Sequence, residues 1–393
     1  MFWQRSSIVR FCEYMQINSP DIQPFNELPE ALIEEMLNQC GSIGETLSRS
    51  FRNLLDNKDS IRNDLAENGL LRLDSDLLTN QSYPTVCGVD GAYTQERLLS
   101  TDMLAIAGVA VEGLTPPSET RHWEYPHHLC EMLPTRHHDK TGLVSRAIML
   151  MMELELADSA PHDVVFLDGS FATPLVNIQQ ALYTVNEVDN HLSEILFNHM
   201  KATMEAYEII VHSRRSDQQF VSVPKYTSHN QITKILLKEG VYEDRALLSF
   251  VLHAGEYIRP FPFKIPKSMW SFAEPRLKEM KNLESIIDGL NNLYVVYYRP
   301  FLHSPTFRLE LPRSIATNRS RLAMVFEAIR LQSGTPGIFE PYPLYLADRM
   351  VKQMGRAVPA IRKATTQEML QSWDQAEGEV FLLMHGYRTE SGR

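Results

Sequence analysis

The hydrophobic positions of this chain follow two regimes. Between Glu27 and Leu55 they recur at helical spacing, at Leu28, Leu32, Ile33, Met36 and Leu37, then Ile43, Leu47, Leu54 and Leu55, with Gly41 and Gly44 marking an expected break. From Thr85 the pattern shortens into strand-like runs at 85–90, 99–112 and about 120–130, which read as an antiparallel meander. Thr141 is placed to cap a helix from Leu143 to Asp158, with Leu143, Ala147, Leu150, Met151 and Leu154 as its apolar stripe. A fourth strand, Val164 to Leu167, precedes a long helical region from about Pro174 to Tyr207. Then come a strand at Phe220–Val223, helices near 228–239 and 243–253, and strands at Leu293–Tyr298 and Thr306–Leu311. A helix over Arg321–Leu331, a second opened by Phe339–Met350 and a last one from Thr366 to His385 complete the order. Neither a repeat nor a low-complexity linker interrupts it. The expected organisation is a helical extension over 1–80, one compact domain over 81–360, and a C-terminal helix and tail over 361–393.

Two of the strands end alike, in Asp90-Gly91 and in Asp168-Gly169. Asp-Gly after an apolar run is a common turn signal, and Gly91 reads as turning the chain into the next run, Met103 to Val111. If the two strands lie side by side, however, Asp90 and Asp168 meet at one sheet edge. Like charges that close are costly unless a cation neutralises them, and converging carboxylates suit Mg²⁺ or Mn²⁺. The intervening helix carries Glu153 and Glu155 on opposite shoulders of its stripe, and periodicity does not choose between them.

Composition narrows the rest. A chain of 393 residues, 44% hydrophobic and 22% charged, can bury a large core. Its formal net charge of −11 excludes a surface coated in basic groups, but not a local basic groove. Cys12, Cys40, Cys87 and Cys130 are too dispersed for a zinc site or a disulfide framework, which fits a reducing cytoplasm. Met1 to Met15 mixes charges among apolar residues like no secretory signal, and no apolar run reaches membrane-spanning length. The histidines at 127, 128, 137 and 138 lie on a Pro-bounded stretch without ligand spacing and read as loop residues.

A meander with an acid on its first strand, a helix with an acid, then a further strand with an acid is the layout of the ribonuclease-H-like fold. The expected class is α/β, a mixed sheet flanked by helices with helical N- and C-terminal extensions. The motifs also carry a family resemblance. GVDGAY at Gly88–Tyr93, FLDGSF at Phe166–Phe171 and the late P-x-P-L-x-x-A-D at Pro341–Asp348 resemble the NurA nucleases. VSVPKYTS at Val221–Ser228, EDRALLSFVLHAGE at Glu243–Glu256 and YYRPFLHSPTFRLELP at Tyr297–Pro312 are similar to the family's middle and final strands. The resemblance implies a Mn²⁺-dependent (or Mg²⁺-dependent) DNA nuclease of two-metal type, resecting 5′ ends, cutting single strands, and working as a homodimer docked on HerA, a hexameric ATPase, in DNA repair or defence. It also implies Asp90, Glu153 and Asp168 as metal ligands, with Glu155 in reserve. The family commonly has Ala-His where this chain has Ala347-Asp348, and a tyrosine where it has Glu340, so the expected site is either a more carboxylate-rich variant, with Asp348 binding metal or orienting water, or a weaker one. Lys225, Arg299 and Arg308 are candidate phosphate contacts. The alternatives are a solvated lysine at 225 and an ion pair from Arg308 to Glu310. The competing function is a non-catalytic DNA-binding subunit of a translocase; an actin-like ATPase lacks the glycine-rich phosphate loops it would need.

Overall fold

The short apolar runs pair into one mixed sheet. In chain order its strands are β1 (Leu71–Leu73), β2 (Val86–Arg97), β3 (Asp102–Glu112), β4 (His127–Thr135), β5 (Val164–Asp168), β6 (Gln219–Val223), β7 (Glu256–Pro262), β8 (Tyr294–Arg299) and β9 (Phe307–Leu311). Across the sheet they run β1-β7-β8-β9-β6-β5-β2-β3-β4. The β2–β3–β4 meander is antiparallel, whereas β2, β5 and β6 are parallel neighbours. Helices longer than a single turn are α1 (Glu30–Asp56), α2 (Lys58–Glu67), α3 (Thr141–Ser159), α4 (Thr173–Thr184), α5 (Asn190–His212), α6 (Gln231–Leu237), α7 (Asp244–Val251), α8 (Leu283–Asn291), α9 (Arg319–Gln332), α10 (Tyr342–Lys352) and α11 (Met354–Leu370). The expected mixed sheet flanked by helices is what the chain forms. The computed structural model describes residues 28–78, 83–98, 101–225, 230–237, 243–270, 274–371 and 377–380. Among these residues no helix is long and apolar enough to cross a membrane.

The chain divides into two compact units, Met1–Lys58 and Asp59–Arg393. In the first, α1 runs unbroken through Gly41 and Gly44. Each glycine costs a helix about 1 kcal/mol against alanine, which two positions in a helix of 27 residues can absorb.

In the second unit several expectations shift. The helical extension yields a strand, β1, which pairs with β7. The long helical region divides at Val185–Asp189, where Asp189 caps α5 by accepting from the His191 N–H. Strand β7 was hidden by Pro260 and Pro262, residues that normally demote a strand; it tolerates them with a register shift between Ile258 and Phe261. The last expected helix, Thr366 to His385, overlaps only the end of α11 and a turn at 377–380; the rest of that span lies outside the described residues, as does Met1 to Met15.

Strand alternation decides which side chains meet. In β2, Val86, Gly88 and Asp90 face one side, and Cys87, Val89 and Gly91 the other. In β5, Val164, Phe166 and Asp168 share the side of Val86, because Val86 pairs with Val164 and Gly88 with Phe166. That side holds a core of Val86, Val164, Phe166, Val221, Val296, Leu309, Phe326 and Leu344, so α9 and α10 cover it. Helix α10 crosses so closely that a side chain at Gly88 would lie 2.6 Å from the Leu344 backbone nitrogen. Helix α3 covers the opposite side, over Gly91 and Gly108.

Candidate metal centre

The register that builds the core also builds an acidic centre. Val89 pairs with Leu167, so one step further Asp90 and Asp168 stand side by side on the α10 side of the sheet. Each is oriented by the glycine after it: the Gly91 N–H donates to Asp90 Oδ1 (2.9 Å) and the Gly169 N–H to Asp168 Oδ1 (2.8 Å). Asp348 lies one helical turn after the core residue Leu344 on α10, which points it at the same spot. Carboxylate oxygens of Asp90, Asp168 and Asp348 all lie within 4.8 Å of one another. Opposite ligands of a Mg²⁺ or Mn²⁺ ion stand about 4.2 Å apart, twice a bond of about 2.1 Å. The three acids therefore fit such an ion in donor chemistry, and their 4.8 Å limit is close enough to that span for small side-chain movements to close on one ion.

The fourth acid arrives from the other face. Glu153 on α3 is buried, and its Oε1 would lie 2.6 Å from a side chain at Gly91. This corrects the reading of Gly91 as a turn. Strand β2 continues straight through it to Arg97, and the missing side chain admits Glu153 instead. Gly169, by contrast, has a positive φ of 78° and does turn the chain. That turn is pinned by β9: Glu310 Oε2 accepts from the Ser170 hydroxyl (2.7 Å) and the Phe171 N–H (3.1 Å).

Glu155, the reserve candidate, faces away. It accepts from Thr203 Oγ1 (2.8 Å) and pairs with His199 Nδ1 (2.9 Å) on α5, which raises the His199 pKa through that hydrogen bond, against burial. Glu155→Gln is therefore expected to cost about 1 kcal/mol of stability and little of any activity at the acidic centre, with Glu153→Gln the reverse. Urea unfolding beside a turnover assay checks this; equal activity losses would mean that Glu155 also serves the centre.

Burial pushes the Asp90 carboxyl up to about 7, with the Asp168 charge adding to the effect. Burial also raises Glu153, reinforced by Asp90 and Asp168. Lys225 answers this charge. Its Nζ lies 3.1 Å from Asp168, 2.9 Å from Glu340 and 3.5 Å from Asp348. Burial opposes its charge, but Asp168 and Glu340 outweigh burial and raise its pKa. Lys352, one turn beyond Asp348, pairs with it at 2.7 Å. Burial works against the Asp348 anion, yet Lys352 and Lys225 hold its carboxyl below the usual range.

A pH dependence follows. The folded chain keeps a proton on Asp90 up to about pH 7, whereas the unfolded chain releases it near its ordinary value of 3.8. The folded state thus binds more protons between these values, and stability falls as pH rises through that window. Without metal, the melting temperature is expected to drop from pH 5 to pH 8, with Mn²⁺ restoring more at pH 8 than at pH 5. Thermal melts with and without Mn²⁺ check this, and equal shifts at both pH values would contradict it.

All four acids and Lys225 line one open cleft of about 800 Å³, together with Arg146, Glu310, Glu340 and Lys352. Two expected phosphate contacts are not there. Arg308 is fully buried and paired with Glu310 at 2.7 Å, the structural alternative for it, so it does not reach a substrate. Arg299 spends its guanidinium on the carbonyls of Ser249, Leu252 and Leu302, bracing a loop. Sequence reasoning missed Glu310 as a brace of the Asp168 turn, and also Arg146 and Lys352. The last two had a signal: Lys352 is four residues after Asp348, and Arg146 seven before Glu153, on shared helix faces. Of the histidines, His127 and His128 open β4, with His127 stacked on Trp123, and His137 pairs with buried Asp102. Among the described residues the Asp90–Asp168–Asp348 group is the one set with metal-ligand spacing.

Residues 84–353, more than half of the chain, match the NurA domain family. The crystal structure of the NurA nuclease from Sulfolobus solfataricus superposes with a TM-score of 0.57 at 14% identity, covering 88% of this chain and 99% of that one. A crystal structure of NurA with manganese has a TM-score of 0.52 at 14% identity, over 81% and 97% of the respective chains. A further NurA crystal structure has a TM-score of 0.50, also at 14% identity, over 79% and 93%. At this identity the likeness is one of fold. No curated protein matches the sequence.

Proposed function

The chain belongs to the NurA family, and from that premise we propose that it is a metal-dependent DNA nuclease acting at the cleft of Asp90, Glu153, Asp168 and Asp348. The observation that carries this reading is the convergence within 4.8 Å of three carboxylates, two from the neighbouring strands β2 and β5 and one from α10, with a fourth acid entering through Gly91. A structural ion-pair network would match its charges; here several acids share two lysines, which leaves the anionic excess that divalent cations neutralise. That excess supports a pair of ions, Mn²⁺ by analogy with the manganese-bound relative, held by Asp90, Glu153, Asp168 and Asp348. When bound, the metal supplies Lewis-acid activation of water and neutralises charge building on the phosphate.

The chain's own residues do the rest. Gly91 and Gly169 fix the orientation of Asp90 and Asp168 through their N–H groups, and the Glu310 brace holds the turn that carries Asp168. Lys225 orients Asp168, Glu340 and Asp348 and offers an ammonium to a phosphate oxygen. Asp348 stands in the family's histidine position as an acceptor that orients water, without the imidazolium that would protonate a leaving group. The reading includes 5′-end resection and single-strand cutting by a homodimer on a HerA-like hexameric ATPase, supported by family membership. An acidic chain without motor motifs also needs a partner to travel along DNA.

The test is incubation of the purified chain with labelled single- and double-stranded DNA in Mn²⁺, Mg²⁺ or EDTA, with and without the ATPase. Cleavage in Mn²⁺ that EDTA stops supports the reading, and its absence even in the complex favours a non-catalytic subunit. Light scattering showing only monomer, with no shift on adding the ATPase, would remove the assembly part.

A further inference from the structure

Three cations line the acidic cleft, and two of them are ion-paired with its acids. Lys225 is shared among Asp168, Glu340 and Asp348, and Lys352 is paired with Asp348. Arg146 is the third. It is exposed, and among the described residues no carboxylate lies within ion-pair distance of its guanidinium. Its charge acts on the buried Glu153, whose carboxyl it helps to lower, but no short ion pair with a described residue holds it. A guanidinium so placed at the rim of an acidic cleft can take a phosphate with two parallel hydrogen bonds.

An exposed aromatic stands beside it. Tyr93 is 37% exposed, and its hydroxyl lies 3.5 Å from where a side chain at Gly142 would begin, so the ring leans over the first turn of α3. Gly142 and Arg146 are one helical turn apart and share a face. Glu153 follows on that face seven residues later, roughly 10 Å along the axis. Tyr93 is also two residues beyond Gly91 on β2, so it shares the side through which Glu153 enters. Arg146 and Glu153 thus line the cleft along one face of α3, and Tyr93 stands just outside that lining, beside the first turn of the same helix.

We propose that Tyr93 and Arg146 form an entry subsite for single-stranded nucleic acid, one unpaired base stacking on Tyr93 and an adjacent backbone phosphate held by Arg146. The inference rests on the nuclease reading and adds a strand preference to it. Bases in a duplex are stacked on each other and cannot use Tyr93, whereas an unpaired base can lie on its ring whatever its identity. Neither residue touches the reacting atoms; both act on binding.

The experiment is steady-state cleavage of single-stranded and duplex oligonucleotides of one sequence, in Mn²⁺ over a range of salt, by the full chain and its Tyr93→Ala, Tyr93→Phe and Arg146→Gln variants. Tyr93→Ala is expected to raise KM for the single strand about tenfold with kcat within about threefold, and to leave the duplex KM unchanged. Tyr93→Phe keeps the ring and the wild-type KM. Arg146→Gln is expected to raise KM and to reduce the salt dependence of kcat/KM for the single strand by about 0.7 in log–log slope, the loss of one phosphate contact. Wild-type cleavage with unchanged single-strand KM in Tyr93→Ala and Arg146→Gln would overturn the subsite and leave the nuclease reading standing. Equal KM changes on single strand and duplex would overturn the stacking role. A wild type that cuts neither substrate would overturn the nuclease reading and the subsite with it.

Discussion

Asp90→Asn is expected to abolish Mn²⁺-dependent cleavage of DNA while leaving the metal-free protein at least as stable as the wild type at pH 8. The two halves have one cause. Asp90 is 7% exposed and stands in register with Asp168, so its charge is costly unless a cation answers it. Asparagine keeps the shape and removes the charge, which relieves burial and repulsion in the absence of metal. It also removes an anionic ligand where charge on the transferring phosphate must be offset, a contribution of several kcal/mol. The expected rate loss is therefore about 1,000-fold or more. Asp168→Asn shares the activity loss and also gives up the 3.1 Å pair with Lys225, so its stability gain is smaller. Turnover in Mn²⁺ and thermal melts in EDTA check both. Near-wild-type turnover in either variant would remove the two acids from the centre.

Asp348→Ala is expected to lose activity by about two orders of magnitude, the scale of a lost metal-positioning or acid–base group. The competing structural role is an ion pair with Lys352, four residues on, which is worth only a few tenths of a kcal/mol. The helix dipole adds little, because α10 begins at Tyr342 and Asp348 is already in its second turn. Lys225, however, also approaches Asp348, and the acid shares its 4.8 Å group with Asp90 and Asp168, which a surface pair would not require. Asp348→His is expected to keep part of the activity, because imidazole also binds Mn²⁺. A rate for Asp348→Ala within twofold of wild type would assign the residue to the ion pair alone.

The sheet and its acids were legible because buried strands announce themselves in short apolar runs, and because Asp90 and Asp168 close two of those runs. Parallel pairing of β2 and β5 then needed no further information to bring them together. What stayed hidden was set by contacts distant in sequence. Periodicity left Glu153 and Glu155 equivalent, and only packing separates them: Gly91 opens a gap for one, while His199 and Thr203 on α5 bind the other. The same gap explains why an Asp-Gly pair that reads as a turn lies inside a strand of 12 residues. Arg308 read as a phosphate contact because a basic residue near a strand end is usually solvated; its partner, Glu310, is two residues on, and the pair is buried under Phe263. The strand β7 was missed because its prolines obscure the alternation that neighbouring strands show.

Asp90, Glu153, Asp168 and Asp348 are proposed as the ligand set of a divalent cation. Anomalous scattering from a crystal of the protein grown with Mn²⁺ tests that assignment. Manganese is expected among these four carboxylates, with Glu155 still on His199. A crystal whose manganese binds elsewhere, with Lys225 remaining the counter-charge of an otherwise undisturbed acidic cluster, would contradict it.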